Sequence, residues 1–157
     1  MNYTIRKIQK HEYPLLNNFL YEAIFVPEGI EPPPKTIIAS SELQVYVERF
    51  GELKDDIGLV AEIDGKIVGA VWSRIMNDYG HIDNETPSLA ISLYKEYRGL
   101  GIGTVMMKEI LALLKRHEYK RVSLSVQKAN YAAKLYQKVG FKITDETEEE
   151  YIMVNYL

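Results

Sequence analysis

A glycine-rich turn between an apolar run and an amphipathic helix constrains this chain more than any other feature. The turn is residues 98–104 (RGLGIGT), preceded by the strand-like run Leu89–Leu93 and followed by helical periodicity from Ile102 to His117. The first N–H groups of a helix lack partners within the helix, and with the positive end of the helix dipole they form a site for an anion. Glycine allows the backbone to approach a ligand closely. The pattern therefore predicts a strand–turn–helix unit that binds a phosphorylated ligand.

The length and charge of the chain exclude several classes of protein. Its 157 residues predict a single domain over residues 1–157. A net charge of −3 argues against nucleic acid as a partner, because nucleic-acid binders carry a basic surface. No apolar run has the length of a membrane helix, and the first residues lack the apolar segment of a signal peptide. We therefore expect a cytoplasmic protein that does not associate with a membrane.

Cysteine is absent, which excludes thiol nucleophiles, disulfides and cysteine-based metal sites. The three histidines, His11, His81 and His117, are far apart in the sequence and have no spacing typical of metal ligands. We expect no bound metal ion.

Hydrophobic periodicity predicts a mixed order of elements, β-α-α-β-β-β-α-β-α-β-β. The predicted strands cover residues 3–8, 57–63, 66–76, 89–94, 122–126, 141–144 and 151–156, and the predicted helices cover residues 12–23, 41–50, 102–117 and 130–139. A parallel crossover joins the strand at Leu89 to the strand at Val122. The predicted fold class is α/β, with a mixed sheet and no internal repeat.

Two local signatures place the ends of elements. Ser41 and Gln44 have the spacing of a capping box at the start of the second helix, which Gly51 ends. Asp64 and Gly65 lie between two strand-like runs and predict a type I′ hairpin turn.

Two motifs give the chain a resemblance to a known family. Residues 98–103 (RGLGIG) satisfy the (Gln/Arg)-x-x-Gly-x-(Gly/Ala) signature of the GNAT superfamily of N-acyltransferases. Residues 130–141 (NYAAKLYQKVGF) look like that family's second landmark, the Asn…Ala…Leu-Tyr…Gly-Phe helix. The order of elements matches over nearly the whole chain. The resemblance implies a mostly antiparallel central sheet with one splayed parallel strand pair and helices on both faces.

The resemblance also implies transfer of an acyl group, usually acetyl, from acetyl-CoA to a primary amine by direct attack in a ternary complex. It assigns a pyrophosphate cradle to the backbone of the turn, and pairing with the pantetheine arm to the edge of the preceding strand. A backbone N–H near the end of that strand then faces the thioester oxygen. The implied cofactor-binding residues are Ile91, Ser92, Leu93, Arg98, Gly99, Gly101, Ile102, Gly103, Thr104 and Asn130.

Catalytic roles follow for two residues. Tyr136 occupies the position of the family's general acid, and a phenol stays protonated at neutral pH, ready to donate to a departing sulfur. His81, in the polar loop before the strand at Leu89, titrates in a useful range and is the candidate base. Asn130 also suits a helix N-cap, a role compatible with cofactor binding. Tyr131 lies off the motif position and is interpreted as a packing residue.

Two other functions stay open on the sequence. A non-catalytic coenzyme A binding module would keep the cradle without turnover. A nucleotide-binding domain would use the turn for ATP, but Gly103 is followed by Thr104, with no lysine to meet a β- or γ-phosphate.

Partners are only broadly indicated. Glu28 and Glu31, in a proline-rich loop, are either plain surface charges or groups that recognise a cationic acceptor, a small-molecule amine or a peptide amine. The aromatic strand over residues 151–156 offers an edge for a possible homodimer.

Overall fold

The computed structural model describes residues 2–157, which form a seven-stranded mixed sheet with helices packed around it. The strands are β1 (Thr4–Lys7), β2 (Ile57–Ile63), β3 (Lys66–Arg74), β4 (Ser88–Leu93), β5 (Arg121–Gln127), β6 (Lys142–Glu146) and β7 (Glu150–Tyr156). The α-helices are α1 (Leu16–Ala23), α2 (Ser41–Gln44), α3 (Ile102–Arg116) and α4 (Ala132–Lys138), and 3₁₀ helices cover Lys10–Leu15, Lys35–Ala39 and Lys95–Tyr97. The predicted order of strands and α-helices is confirmed.

The strands lie in the order β1-β2-β3-β4-β5-β7-β6. All neighbours are antiparallel except β4 and β5, which are parallel and are connected through α3 as predicted. The β2–β3 hairpin turns at Asp64 and Gly65, whose φ angles of 49° and 79° are both left-handed, as a type I′ turn requires. The predicted hairpin is confirmed.

A hydrophobic core lies on each face of the sheet, because side chains alternate between the faces along each strand. One core contains Met106 and Ile110 of α3, and α4 packs at its side. The other contains Phe19 of α1, Trp72 of β3 and apolar side chains from residues 46–50. The predicted arrangement of helices on both faces is confirmed.

The parallel strands β4 and β5 separate soon after they meet. Ser88 opposite Ser123 is their single paired position, although β4 has six residues and β5 has seven. Strand β3 pairs with β4 as far as Leu93, and β7 pairs with β5 along its whole length. The predicted splay is confirmed, and it leaves a gap in the middle of the sheet.

The helix predicted over residues 12–23 is divided in two. Residues 10–15 form a 3₁₀ helix, and α1 begins only at Leu16. Pro14 is tolerated only near the start of an α-helix because it lacks an N–H, so the α-helix begins after it. The predicted single helix was wrong at its first turn.

The second helix is much shorter than predicted. Ser40, rather than Ser41, is the N-cap of α2, and it makes no side-chain capping bond. Gln44 donates to the Ile38 carbonyl instead of closing a capping box. The α-helix ends at Gln44, and turns continue to Gly51. The capping-box prediction is therefore wrong.

Two predicted strand features also need correction. The strand predicted to reach residue 76 ends at Arg74. The C-terminal strand β7 is not an edge, because it lies between β5 and β6. The outer strand on that side of the sheet is β6, whose five residues are all exposed.

Candidate active site

The gap between β4 and β5 holds a cavity of about 220 Å³. A larger groove of about 890 Å³ adjoins the cavity and runs along β4 toward Arg98. The residues that line both are Ala23, Ile24, Phe25, Ile91, Asn130 and Tyr136. A ligand bound in the groove can therefore extend one end into the middle of the sheet.

Backbone groups of β4 face the gap. The Ser123 N–H of β5 donates to the Pro87 carbonyl, whereas the Tyr94 N–H donates to the Val68 carbonyl of β3. Because backbone groups alternate in direction along a strand, the odd-numbered residues between 89 and 93 turn their N–H and C=O groups toward β5. Parallel pairing ends after Ser88, so most of these groups lack a strand partner.

The unpaired groups are concentrated at Ile91 and Leu93. Ile91 turns both its N–H and its C=O into the gap, and Leu93 turns its N–H there. The Leu93 carbonyl is already bound by Arg98 Nε at 2.9 Å. Ser92 differs, because its backbone faces β3 and its hydroxyl donates to the Phe19 carbonyl at 2.6 Å. Buried backbone groups need partners, so this edge suits a ligand that carries amide groups.

The glycine-rich turn leaves its N–H groups free. Over the described range 2–157, no hydrogen bond is made by the N–H groups of residues 99–104. Gly101 is the N-cap of α3 with φ 87°, and Gly99 has φ 73°. A Cβ atom at either glycine would meet no other atom within 4 Å. The free N–H groups thus stand at a helix N-terminus beside open space, which fits a phosphate group.

The Arg98 side chain fixes the turn in place. Its Nε donates to the Leu93 carbonyl. Its Nη2 donates to both the backbone carbonyl and the carboxylate of Glu22 on α1, each at 3.2 Å. These bonds occupy the Arg98 guanidinium, so the backbone N–H groups of the turn are the groups available to an anion.

Tyr136 of α4 places a phenol where the groove meets the cavity. Its ring packs edge-on against Phe141 with a centroid distance of 6.1 Å. No other residue from 2 to 157 forms a hydrogen bond with its hydroxyl. Burial raises the pKa of Tyr136 to about 12, so the phenol is protonated at neutral pH.

Asn130 and Tyr131 precede α4 and have different surroundings. Asn130 Oδ1 accepts from the Ala132 N–H at 2.9 Å, so this amide supports the start of α4 while also lining the cavity and the groove. Tyr131 is 84% exposed, with Lys134 Nζ 5.7 Å from its ring centre. The interpretation of Tyr131 as a packing residue is wrong.

Other predicted residues lie outside the cavity. His81 lines neither the cavity nor the groove, and its Nδ1 is buried with no hydrogen-bond partner in the described part of the chain. Glu28 lines the groove, whereas Glu31 does not. His81 as the base stays a prediction that the lining of the cavity does not support.

Three polar residues at the other end of the cavity were not predicted. Tyr46 and Tyr79 line it, and the Tyr79 hydroxyl donates to Glu42 at 2.9 Å. Asp78 lies beside Tyr46, and its negative charge adds to burial in raising the pKa of that phenol. Separate segments of the chain supply these groups, so no sequence motif marks them.

Among residues 2–157, no helix has the length and hydrophobicity required to cross a membrane. No three His, Asp or Glu side chains gather there as the ligands of a metal ion do.

The model of the acetyltransferase (GNAT) family matches residues 19–141, a range that contains the splayed strands, the glycine-rich turn and α4. The chain belongs to the GNAT acetyltransferase family. This GNAT chain is 34% identical over 106 residues to an N-alpha-acetyltransferase of Sulfurisphaera tokodaii, a match that covers 62% of each protein.

Solved GNAT structures share the fold of this chain. The PaiA N-acetyltransferase of Thermoplasma acidophilum, determined in complex with coenzyme A, superposes with a TM-score of 0.73 at 23% identity and full coverage of both chains. The ribosomal-protein-S18-alanine N-acetyltransferase of Escherichia coli gives a TM-score of 0.67 at 17% identity, covering 99% of this chain and 94% of that one. At such identities the likeness concerns the fold alone.

This GNAT chain matches only part of its relatives by sequence. It spans 37% of the length of one related N-acetyltransferase from Xenopus tropicalis and 62% of the Sulfurisphaera protein.

Proposed function

We propose that this GNAT chain transfers an acetyl group from acetyl-CoA to a primary amine. The observation that carries the proposal is a continuous path of unsatisfied groups. The path begins at the free N–H groups of residues 99–104, follows the unpaired edge of β4 at Ile91 and Leu93, and ends at the Tyr136 hydroxyl. A phosphate, a chain of amides and a reactive thioester are arranged in the same order along acetyl-CoA.

Each part of the path has a role in holding acetyl-CoA. The backbone N–H groups of the turn bind the pyrophosphate. The Leu93 N–H and the Ile91 C=O pair with the pantetheine amides, and Asn130 adds a side-chain amide to the lining. The Ile91 N–H, which is farther from the turn and borders the cavity, donates to the thioester oxygen, where one such donor contributes about 3 kcal/mol to lowering the barrier. When bound, acetyl-CoA supplies the acetyl group as an activated thioester.

Tyr136 serves as the general acid. As the amine nitrogen bonds to the acetyl carbon and the carbon–sulfur bond breaks, the sulfur takes the phenolic proton. The proton that the nitrogen then loses restores the phenol. A pKa of about 12 keeps this group in its proton-donating form throughout the neutral range.

The two alternatives differ from this proposal in particular features. A non-catalytic coenzyme A module would have no need of a phenol that faces the cavity without a protein partner. A nucleotide-binding domain would need a cation at the β/γ-phosphate position, and the one arginine in the turn, Arg98, is bound to Leu93 and Glu22. Both alternatives predict no acceptor-dependent release of free coenzyme A.

The acceptor proposed is a cationic amine, either a small molecule or the terminus of a peptide. Glu150 lines the cavity, and Glu42 lies next to it through its bond to Tyr79. No lysine or arginine lines the cavity. Relatives named as an N-alpha-acetyltransferase and as a putative ribosomal-protein-bS18-alanine N-acetyltransferase make peptide amines a class to include.

The experiment that tests the proposal has two arms. Calorimetric titration with acetyl-CoA and with ATP identifies the nucleotide that binds, and we expect heat from acetyl-CoA alone. Thiol release from acetyl-CoA is then followed across polyamines, amino sugars, amino acids and short peptides. The chain has no cysteine, so it contributes no thiol background. Binding of acetyl-CoA without release by any amine would favour the non-catalytic module.

A further inference from the structure

We propose that the acceptor ammonium loses its proton through Tyr46 to Asp78. Tyr46 contacts the amine, and Asp78 receives the proton from Tyr46. The inference rests on the proposed function, because an amine must be deprotonated before it attacks a thioester. The family signature contains no proton acceptor for the amine, and the apolar residues that line the cavity cannot accept a proton.

The backbone at Tyr46 is bound to side chains of β3 at the cavity wall. Trp72 Nε1 donates to the Tyr46 carbonyl at 2.9 Å, and Arg74 donates to the adjacent Val45 carbonyl at 3.2 Å. The side chain is only 9% exposed, and it lines the cavity. Asp78 and Ser125 of β5 both lie close enough to its hydroxyl to shift its pKa. The phenol therefore stands between the cavity and the carboxylate.

Asp78 is placed by contacts on both sides of the gap. Its Oδ1 accepts from the Ser88 hydroxyl of β4 at 2.7 Å. Two residues later, the Gly80 carbonyl accepts from the Ser123 hydroxyl of β5 at 2.7 Å. A Cβ atom at Gly80 would lie 3.0 Å from the backbone of Leu124, so this loop lies directly on β5. Asp78 is thus fixed where β4 and β5 begin to separate.

The surroundings favour a proton acceptor at Asp78. Burial raises the pKa of this carboxyl above its usual value, and bonds from Ser88 and Tyr46 oppose the rise. The other acidic groups at the cavity are Glu150, which lines it, and Glu42, which is bound to Tyr79. His81 meets Asp78 through a backbone bond from its N–H to the Asp78 carbonyl. No lysine or arginine lines the cavity, so a bound ammonium meets no competing positive charge on the cavity wall.

The proton balance is simple. The ammonium N–H bond breaks as an O–H bond forms on Tyr46, and the Tyr46 O–H bond breaks as an O–H bond forms on Asp78. The neutral amine then attacks, and Tyr136 gives its proton to the departing sulfur. Asp78 releases the first proton to solvent before the next turnover. The net change is one amide formed, one thiol formed and one proton released.

The test uses the most active amine from the acceptor panel. Asp78→Asn keeps an oxygen that can accept the Ser88 bond but removes the proton acceptor. We expect kcat/KM for the amine to fall ~10²-fold at neutral pH, with KM for acetyl-CoA unchanged. The deficit should shrink as pH approaches the ammonium pKa of the amine, because the free amine then forms without help. A purely structural role would give the same deficit at every pH.

Tyr46→Phe provides the second variant, because it keeps the ring and removes the relay hydroxyl. It should lose a similar factor, and the double variant should be no slower than either single variant, since both act in one route. Asp83→Asn is the matched control. It makes the same charge change in the same loop, at a residue that pairs with Arg121 and lines neither the cavity nor the groove. We expect Asp83→Asn to retain the wild-type rate.

A measurement without an acceptor separates this inference from the proposed function. Carboxyl ¹³C NMR titration of Asp78 should show a midpoint above that of an exposed aspartate, and Tyr46→Phe should raise it further, since the Tyr46 bond lowers it. A wild-type chain with no turnover would contradict the proposed function while leaving this titration in place. An ordinary Asp78 midpoint, a pH-independent deficit, or a loss of rate found in His81→Gln but absent from Asp78→Asn would overturn the inference.

Discussion

At the scale of single residues, Tyr136 is a partly buried phenol whose hydroxyl has no hydrogen-bond partner among residues 2–157. Burial disfavours the phenolate, so its pKa rises to about 12 instead of falling toward neutrality. A phenol with that pKa is fully protonated at neutral pH.

The raised pKa of Tyr136 makes a pH prediction. The difference in ultraviolet absorbance between wild type and Tyr136→Phe should show phenolate formation only near pH 12. A Tyr136 midpoint at or below that of free tyrosine would contradict the burial of this phenol.

Sequence alone identified some residues of the site and missed others for a physical reason. Asn130 and Tyr136 lie in one helix motif, so their spacing marks them. Tyr46 and Asp78 come from separate loops that tertiary packing brings together, and nothing local distinguishes them. Only the packed structure shows that burial shifts the Asp78 pKa.

At the scale of elements, the turn before α3 is built on left-handed glycines. Gly101 has φ 87° and serves as the N-cap, a conformation that costs a β-branched residue about 1–2 kcal/mol. Its missing side chain leaves open space beside the free N–H groups. A side chain at Gly101 would therefore have two effects, backbone strain and blocked access to the N–H groups. A test of this turn must separate them.

Gly101→Val should abolish acetyl-CoA binding in calorimetry, because the new side chain fills the space in front of the N–H groups. Gly65→Val is the matched control, since Gly65 also has a left-handed φ of 79° and open space but lies in the β2–β3 hairpin. We expect similar losses of melting temperature in both variants and wild-type affinity in Gly65→Val. Retained affinity in Gly101→Val would place the phosphate site elsewhere.

The elements that sequence predicted well are those whose pattern is local. Strand alternation and the Asp64–Gly65 pair located β2 and β3. The segment after α2 was wrongly predicted as helix because its apolar residues follow helical spacing. In the structure, the side chains of Trp72 and Arg74 bind carbonyls of that segment, which a longer α-helix would have used internally. Such long-range competition leaves no local trace.

At the scale of the whole molecule, the separation of β4 and β5 depends on the strands that pair with their other edges. Strands β3 and β7 keep β4 and β5 apart by pairing with their other edges. The order of elements predicted this topology, but the single paired position at Ser88 could not be read from sequence, because a divergence of strands changes no residue pattern. The cavity is thus a property of the assembled sheet.

A buried ion pair joins the segment after α2 to this sheet. Asp56 accepts two bonds of 3.1 Å from Arg74 and one of 2.9 Å from the Gly51 N–H, and its side chain is fully buried. Removing one partner leaves a buried charge unpaired, so Asp56→Ala should lower the free energy of unfolding by about 3–5 kcal/mol in urea denaturation.

The matched control for Asp56→Ala is Glu52→Ala. It breaks an ion pair with Arg49 in which both side chains are more than half exposed. That loss should cost far less than the loss in Asp56→Ala, because solvent screens the charges of an exposed pair. Equal costs for the two variants would show that the Asp56–Arg74 pair does not hold this segment to the sheet.

The most direct test of the whole account is acceptor-dependent thiol release from acetyl-CoA, compared between wild type and Tyr136→Phe at saturating concentrations of both substrates. We expect unchanged affinity for acetyl-CoA and a kcat about 10²-fold lower in the variant, because the departing sulfur loses its proton donor. An unchanged kcat in Tyr136→Phe would contradict it.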